Sequence, residues 1–427
     1  MRVMKDSGVE WIGKIPDSWS VSRLKYCAVL NPKCDFSHLP ADAYVTFTPM
    51  ELVGYGDFQN NAESLEKLSG AYTPFQDGDI ALAKVTPCFE NGKIAIMTGL
   101  HSGVGFGSSE LFVIRAVEIN TKFLFYFLQN EGFKDVACST MTGTGGLKRV
   151  SPDFVHNCPI AIPSLTEQQR IAAYLDDQCG EIDKVLAKTR ESIEEYKKLK
   201  QSVITEAVTK GIRPNRPMKP NGIEWIGDIP AEWEVVKLKR LAKIETGNTP
   251  PKNSESIFFS RESGYLWIKA ENLGSTKSIE ETTEYLTEEG IKHGRLFPAH
   301  SVFVCCIASV GKVGFCSKAA SCNQQINALS FINAHWKYGF YLTVAQETEY
   351  LLYASGNVMK IINSEKQSNL MCPLPQLAEQ AEIVAYLDQQ CAEIDRLIAK
   401  KEQIITELES YKKSLIYECV TGKREVE

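Results

Sequence analysis

The chain is predicted to be an α+β protein: two mixed α/β heads joined by two long antiparallel helices that pair as a coiled coil, with pseudo-two-fold symmetry. Three observations predict this. A helical stretch occurs twice. Pro163-Ser164-Leu165-Thr166-Glu167-Gln168, with Ile171, Tyr174-Leu175-Asp176 and Glu181-Ile182-Asp183, returns as Pro375-Gln376-Leu377-Ala378-Glu379-Gln380, with Ile383, Tyr386-Leu387-Asp388 and Glu393-Ile394-Asp395, 212 positions later (375 − 163). A tryptophan signature also occurs twice: Gly8-Val9-Glu10-Trp11-Ile12-Gly13 with Pro16 and Trp19, then Gly222-Ile223-Glu224-Trp225-Ile226-Gly227 with Pro230 and Trp233, 214 apart (225 − 11). Between these repeats lie short apolar runs divided by Gly, Asp and Asn, the pattern of brief strands. The frame is duplicated closely and the heads are not.

In chain order, each tryptophan segment reads as a short non-regular wedge of aromatic rings. Trp11, Pro16, Trp19, Trp225, Pro230 and Trp233 either fasten each half to the neighbouring helices or anchor a partner protein. The first head has strands at Ile80–Val85 and Leu111–Ile114 and a helix over 121–130. The second has strands at Tyr265–Lys269 and Val302–Ala308 and a helix over 340–353. Each long helix carries apolar residues at alternating steps of three and four, among them Leu175, Ile182, Leu186 and Ile193, then Leu387, Ile394, Ile398 and Ile405. That is a heptad seam, and neither helix can bury it alone. Thr166 with Gln169 fits a capping box, and Ala378 lacks the hydroxyl. Three prolines within 214–220 make an extended connector. The expected domains are 1–162 (first head), 163–213 (first spacer helix), 214–374 (second head, with connector 214–220) and 375–427 (second spacer helix). A chain of 427 residues exceeds one ordinary core.

Composition narrows the function. Hydrophobic content of 44% with 23% charged residues is that of a globular protein. A net charge of −6 argues against indiscriminate coating of nucleic acid. Residues 1–163 hold 14 basic and 17 acidic side chains, and 214–372 hold 17 and 16, so DNA binding would use local patches. The start has no signal-peptide pattern, and the longest apolar run, Val302–Ala308, is too short to span a bilayer. Thirteen cysteines, an odd number with no Cys-x-x-Cys, suit neither a disulfide framework nor a zinc site and point to a reducing cytoplasm.

No catalytic grammar appears. Gly92-Lys93 and Gly311-Lys312 lack the spacing and hydroxyl of a phosphate loop, and there is no G-x-S-x-G, H-E-x-x-H or cofactor-binding glycine motif. No metal or cofactor is therefore expected in this chain. Asp176-Asp177, adjacent on a helix, resembles solvated charge. What remains are polar loops: Lys84, Thr86, Asn91, Lys93, Lys148 and Arg149 in the first head, and Ser309, Lys312, Asn323, Gln324, Gln325 and Lys360 in the second. Lys and Arg suit phosphates and Asn and Gln suit adenine edges, although ordinary turns use the same residues.

The doubled Trp-Ile-Gly-x-Ile-Pro-x-x-Trp segments, the Pro-x-Leu-x-Glu-Gln helix starts, Ile-x-x-Tyr-Leu-Asp, and Lys84-Val85-Thr86-Pro87-Cys88-Phe89-Glu90-Asn91-Gly92-Lys93 together resemble the specificity subunits of type I restriction–modification systems. The resemblance covers essentially the whole chain. The second head departs from it by lacking Thr-Pro-Cys-Phe. It implies that each head is a target recognition domain for half of a bipartite, asymmetric double-stranded DNA site. The helices would set the spacer and dock two methyltransferase subunits. S-adenosylmethionine, ATP and Mg would be used by those and by the restriction subunits, so this chain would not itself be an enzyme. Two other readings stay open: a coiled-coil adaptor that binds only proteins, and a stand-alone DNA-modifying enzyme.

Overall fold

The computed structural model describes residues 2–68, 72–144, 146–251, 255–356 and 359–426. The chain divides into two compact units, Met1–Thr189 with Gln403–Glu427, and Arg190–Glu402.

The first unit opens on a hairpin, Met4–Asp6 with Lys14–Pro16. Ser20–Arg23 then pairs with Pro159–Ile162, which joins the entry and exit of the head. One antiparallel sheet has the order Ala28–Leu30, Leu111–Ala116, Ile80–Ala83, Ile94–Ile96. Ile80-Ala81-Leu82-Ala83 is buried at every position, so its apolar run is continuous rather than alternating. A second sheet has the order Asn61–Ser64, Tyr44–Thr48, Val104–Gly107, Thr73–Gln76, with its central pair parallel. Gly105 is required there, because a Cβ would lie 2.4 Å from the Phe75 ring. The helix Thr121–Gln129 is buried from Phe123 to Leu128, and the Asn120 side chain caps it by accepting from Phe123 N.

The second unit repeats the order of elements. Its hairpin is Met218–Lys219 with Ile229–Pro230, so part of the Pro-rich stretch is a strand. Glu234–Lys237 pairs with Met371–Leu374. The antiparallel sheet runs Ala242–Thr246, Ile326–Phe331, Val302–Cys305, Val313–Phe315. The other sheet runs Phe259–Ser260, Tyr285–Leu286, Tyr265–Ile268, Ala320–Cys322, Leu296–Phe297, again with one parallel pair, Tyr265–Ile268 beside Ala320–Cys322. The helix expected over 340–353 is two helices, Trp336–Ala345 and Glu347–Tyr353. They part at Gln346, whose buried side chain turns to donate to Met371 O at 3.1 Å.

The two long helices are Leu165–Lys210 and Leu377–Val420. At ~1.5 Å per residue they are about 69 and 66 Å long. The first begins at Leu165, so Thr166 lies inside it and the expected capping box is not formed. Ser164 supplies the cap instead, its hydroxyl accepting from Glu167 N at 3.3 Å. Both helices end on a glycine with positive φ, Gly211 (+74°) and Gly422 (+71°), whose N–H turns back to Ala207 O and Cys419 O.

Each unit contains a segment of both helices. In the first, Ile171, Leu175, Cys179, Ile182 and Leu186 share a core with Leu415, Ile416, Cys419 and Val420. There Lys412 Nζ is 2.7 Å from Asp183. In the second, Ile204, Ala207 and Val208 share a core with Ile383, Val384, Leu387 and Cys391. There Lys200 Nζ is 2.7 Å from Asp395, and Lys401 lies over the Tyr196 ring. Of the remaining seam residues, Ile193 and Ile394 are buried while Ile398 and Ile405 are half-buried.

Candidate nucleic-acid interface

The repeated motifs fasten each head to its helix segment. In the first unit, Trp19 Nε1 donates to Glu167 at 3.1 Å, and Arg2 reaches the same carboxylate at 2.6 Å. In the second, Trp233 Nε1 donates to Glu379 at 2.9 Å, Arg216 binds that carboxylate, and the guanidinium lies 5.4 Å from the Trp233 ring centre. Burial pushes the Glu379 carboxyl up, but the hydrogen bonds from Arg216 and Trp233 outweigh it and hold the group below its ordinary range. Gln168 donates to Pro163 O and accepts from Asn120 N at 2.7 Å. Gln380 donates to Pro375 O and accepts from His335 N at 2.7 Å.

Of the two adjacent aspartates, Asp177 is exposed, whereas Asp176 is half-buried, accepts from the Tyr126 hydroxyl at 2.9 Å and pairs with Lys122. Asp388 does the same for Tyr341 and Lys337. Trp19 and Trp233 are each 1% exposed, and Pro16 and Pro230 are buried in their hairpins. Trp11 and Trp225 are half-buried. Trp11 packs on Phe127, where Gly132 leaves room, since a Cβ would sit 2.7 Å from the indole.

The polar loops of the first head are drawn together by backbone bonds. Lys84 N donates to Glu110 O, Thr86 N to Lys148 O and Val150 N to Lys84 O, while Thr142 and Arg149 bond each other in both directions. The turn after Ile80–Ala83 and the loop from Thr142 to Arg149 therefore form one surface. Several candidate side chains are occupied within it. The Thr86 hydroxyl, 8% exposed, donates to Gly146 O and accepts from Lys148 N. Lys93 Nζ donates to Met50 O, and Arg149 forks onto Glu110 at 2.9 and 2.7 Å, holding that carboxyl below its usual range. Lys84 is half-buried, its ammonium 5.7 Å from the Phe112 ring centre. Asn91 and Lys148 are exposed, with no side-chain partner among the described residues.

The second head has the same frame with different residues. Cys306 N donates to Gln325 O, Ala308 N to Lys360 O and Ile362 N to Cys306 O, and Ser355 and Ile361 bond each other in both directions. Lys312, Lys360, Gln324 and Gln325 are exposed, and Ser309 and Asn323 are half-buried. Asn323 accepts from Gln325 N, and Gln324 accepts from the Thr249 hydroxyl. Lys312 also lines a cavity of about 550 Å³ with Lys197, Lys200, Thr276 and Asp395, on the helix side of the head. Gly145, Asn357 and Val358, which belong to the two loop motifs, lie outside the described residues. Sequence reasoning missed Arg2 and Arg216, although they too stand 214 apart (216 − 2).

Among the described residues no group of three or more His, Cys, Asp or Glu could hold a metal ion, and no helix is long and apolar enough to cross a membrane. All thirteen cysteines are free.

Two heads built on one hydrogen-bonding frame, each tied by Trp–Glu and Tyr–Asp contacts to a long-helix segment, define a duplicated head-and-helix scaffold. The chain belongs to the family of the type I restriction modification DNA specificity domain, whose model matches residues 29–195 and 230–410. It is 35% identical over 196 residues to the type I restriction enzyme EcoAI specificity subunit of Escherichia coli, covering 45% of this chain but only 33% of that protein. It is 24% identical to the MjaVIII specificity subunit of Methanocaldococcus jannaschii, over 96% of this chain and 94% of that one. A solved chain, from work on complex assembly and conformational transition of the type I R-M system, shares the fold with a TM-score of 0.74 at 20% identity. That match covers 96% of this chain and 99% of the other.

Proposed function

We propose that the chain is the sequence-specificity subunit of a type I restriction–modification complex in the cytoplasm, binding double-stranded DNA and catalysing nothing itself. Each head reads one half of a bipartite, asymmetric target. The domains of this reading are the heads 1–162 and 214–374 and the spacer helices 163–213 and 375–427. Lys84, Asn91 and Lys148 in the first head, and Ser309, Lys312, Asn323, Gln324, Gln325 and Lys360 in the second, contact the duplex. Thr86, Lys93 and Arg149 shape the first surface. The helices form an antiparallel coiled coil with pseudo-two-fold symmetry. Reciprocal pairs support this: Asp183 takes Lys412, and their 212-shifted counterparts Asp395 and Lys200 also pair. In each unit the residue number falls along one strand of chain as it rises along the other: Tyr174 and Asp183 meet Arg424, just past the second helix, and Lys412, and Tyr196 and Lys200 meet Lys401 and Asp395. The helices set the unread spacer and dock two methyltransferase subunits, to which restriction subunits are added. S-adenosylmethionine, ATP and Mg serve those partners.

The observation that carries the reading is one frame with two chemistries. Thr86 N to Lys148 O and Ala308 N to Lys360 O are the same bond, yet the exposed side chains around them differ. Two different readers at a fixed separation suit two different half-sites. The test is to replace residues 26–160 with the head of another family member and map methylated adenines in cells. One half-site should change, and changes in both halves would refute modular reading.

A further inference from the structure

Leu147 and Met359 are apolar side chains left 55% and 50% exposed. They stand 212 apart (359 − 147), at the same place in two loops that otherwise differ. Each is followed by a lysine, and that lysine's carbonyl is pinned: Lys148 O by Thr86 N at 2.9 Å, Lys360 O by Ala308 N at 3.0 Å. Each is also faced by a glycine with positive φ. A Cβ on Gly143 (+141°) would lie 2.3 Å from Leu147 O, and one on Gly356 (+112°) 2.1 Å from Met359 O. The backbone around both residues is therefore closely held, while both side chains are left in solvent beside a lysine whose ammonium has no partner among the described residues.

The two loops share a backbone frame but few side chains, and an exposed apolar residue followed by a lysine is one of the features both keep. A base offers an apolar surface, as a stacked face or a thymine methyl, with a phosphate nearby for a lysine. We propose that Leu147 and Met359 are the apolar base-reading tips of the two heads, each lying against a base of its own half-site while Lys148 or Lys360 holds an adjacent phosphate. This rests on the DNA-reading function proposed above and adds which side chains discriminate.

The test uses the full chain assembled with its methyltransferase partners, on duplexes bearing the motif that the unsubstituted complex methylates. Leu147→Ser should slow methylation about 10-fold by weakening one position of one half-site, and Met359→Ser should act only on the other. Leu147→Met and Met359→Leu should retain activity. Lys148→Ala should instead weaken all sequences alike and lower the salt slope by about one. Replacing thymine by uracil in the affected half-site separates the sources: loss of binding identifies the methyl, retention the base face. Unchanged rates and motifs in both serine variants would overturn the proposal. So would equal losses at both half-sites that track a lower melting temperature. If the unsubstituted complex methylates no defined sequence, the DNA-reading function itself fails and takes the proposal with it.

Discussion

Removing the Glu379 carboxylate should cost more than removing its counterpart Glu167, and by an amount that depends on pH. The Arg216 and Glu379 side chains are 9% and 7% exposed, and Trp233 adds a third buried partner. Glu379→Ala strands a guanidinium and an indole N–H. Breaking a fully buried pair costs ~3–5 kcal/mol, and Glu232, 51% exposed, keeps part of the Arg216 charge compensated. The expected loss is therefore about 2–3 kcal/mol. Glu167→Ala also strands an indole N–H, that of Trp19, but Arg2 is 23% exposed and shared with Glu425, so that change should cost about 1–2 kcal/mol. The folded-state carboxyl of Glu379 lies below its unfolded value, so its contribution is present above about pH 4.3 and is lost as pH falls through the depressed value. The gap between wild type and Glu379→Ala should be largest at pH 7 and narrow as pH falls through that value. Urea titration followed by tryptophan fluorescence at several pH values measures both effects. A Glu379→Ala loss no larger than that of Glu167→Ala, or a gap unchanged at pH 3, would refute the reasoning.

Three further outcomes are expected. Thr86→Val removes the acceptor of Lys148 N and the donor to Gly146 O; it should speed amide exchange at Lys148 about 10-fold and weaken only the first half-site. Inserting four helical residues after Glu195, about 6 Å or roughly 1–2 base pairs, should lengthen the unread spacer with both half-sites unchanged; methylation mapping checks it. Burial pushes Cys158, Cys306, Cys316, Cys372 and Cys419 up to about 12 and Cys27, Cys179 and Cys391 to about 11. At pH 8 a disulfide reagent should thus react quickly with no more than the half-buried Cys34, Cys88 and Cys138, and with all thirteen thiols only after denaturation.

The long helices and tryptophan segments were legible because side chains write them: a three–four apolar period and offsets of 212 and 214 survive any reading. Their purpose was less so. Glu167, Gln168 and Asp176 look like water-facing side chains of a helix until Trp19, Asn120 and Tyr126 arrive from more than 45 residues away in sequence. The kinship of the two heads was hidden because their shared frame is backbone bonding, which leaves no residue signature. Thr86 and Ala308 make the same N–H bond with unlike side chains. Thr86, Lys93 and Arg149 were candidates by chemistry, and each also bonds within the head, a contact that no spacing in the sequence announces. The capping box failed for a local reason: Ser164 lies two residues earlier and meets the first free N–H groups before Thr166 can.

The most direct measurement is the adenine methylation map of cells expressing this chain together with its methyltransferase partners. The account predicts one asymmetric motif in two halves, divided by a constant number of unread base pairs. Methylation at a single continuous motif, or a map independent of this chain, would contradict it.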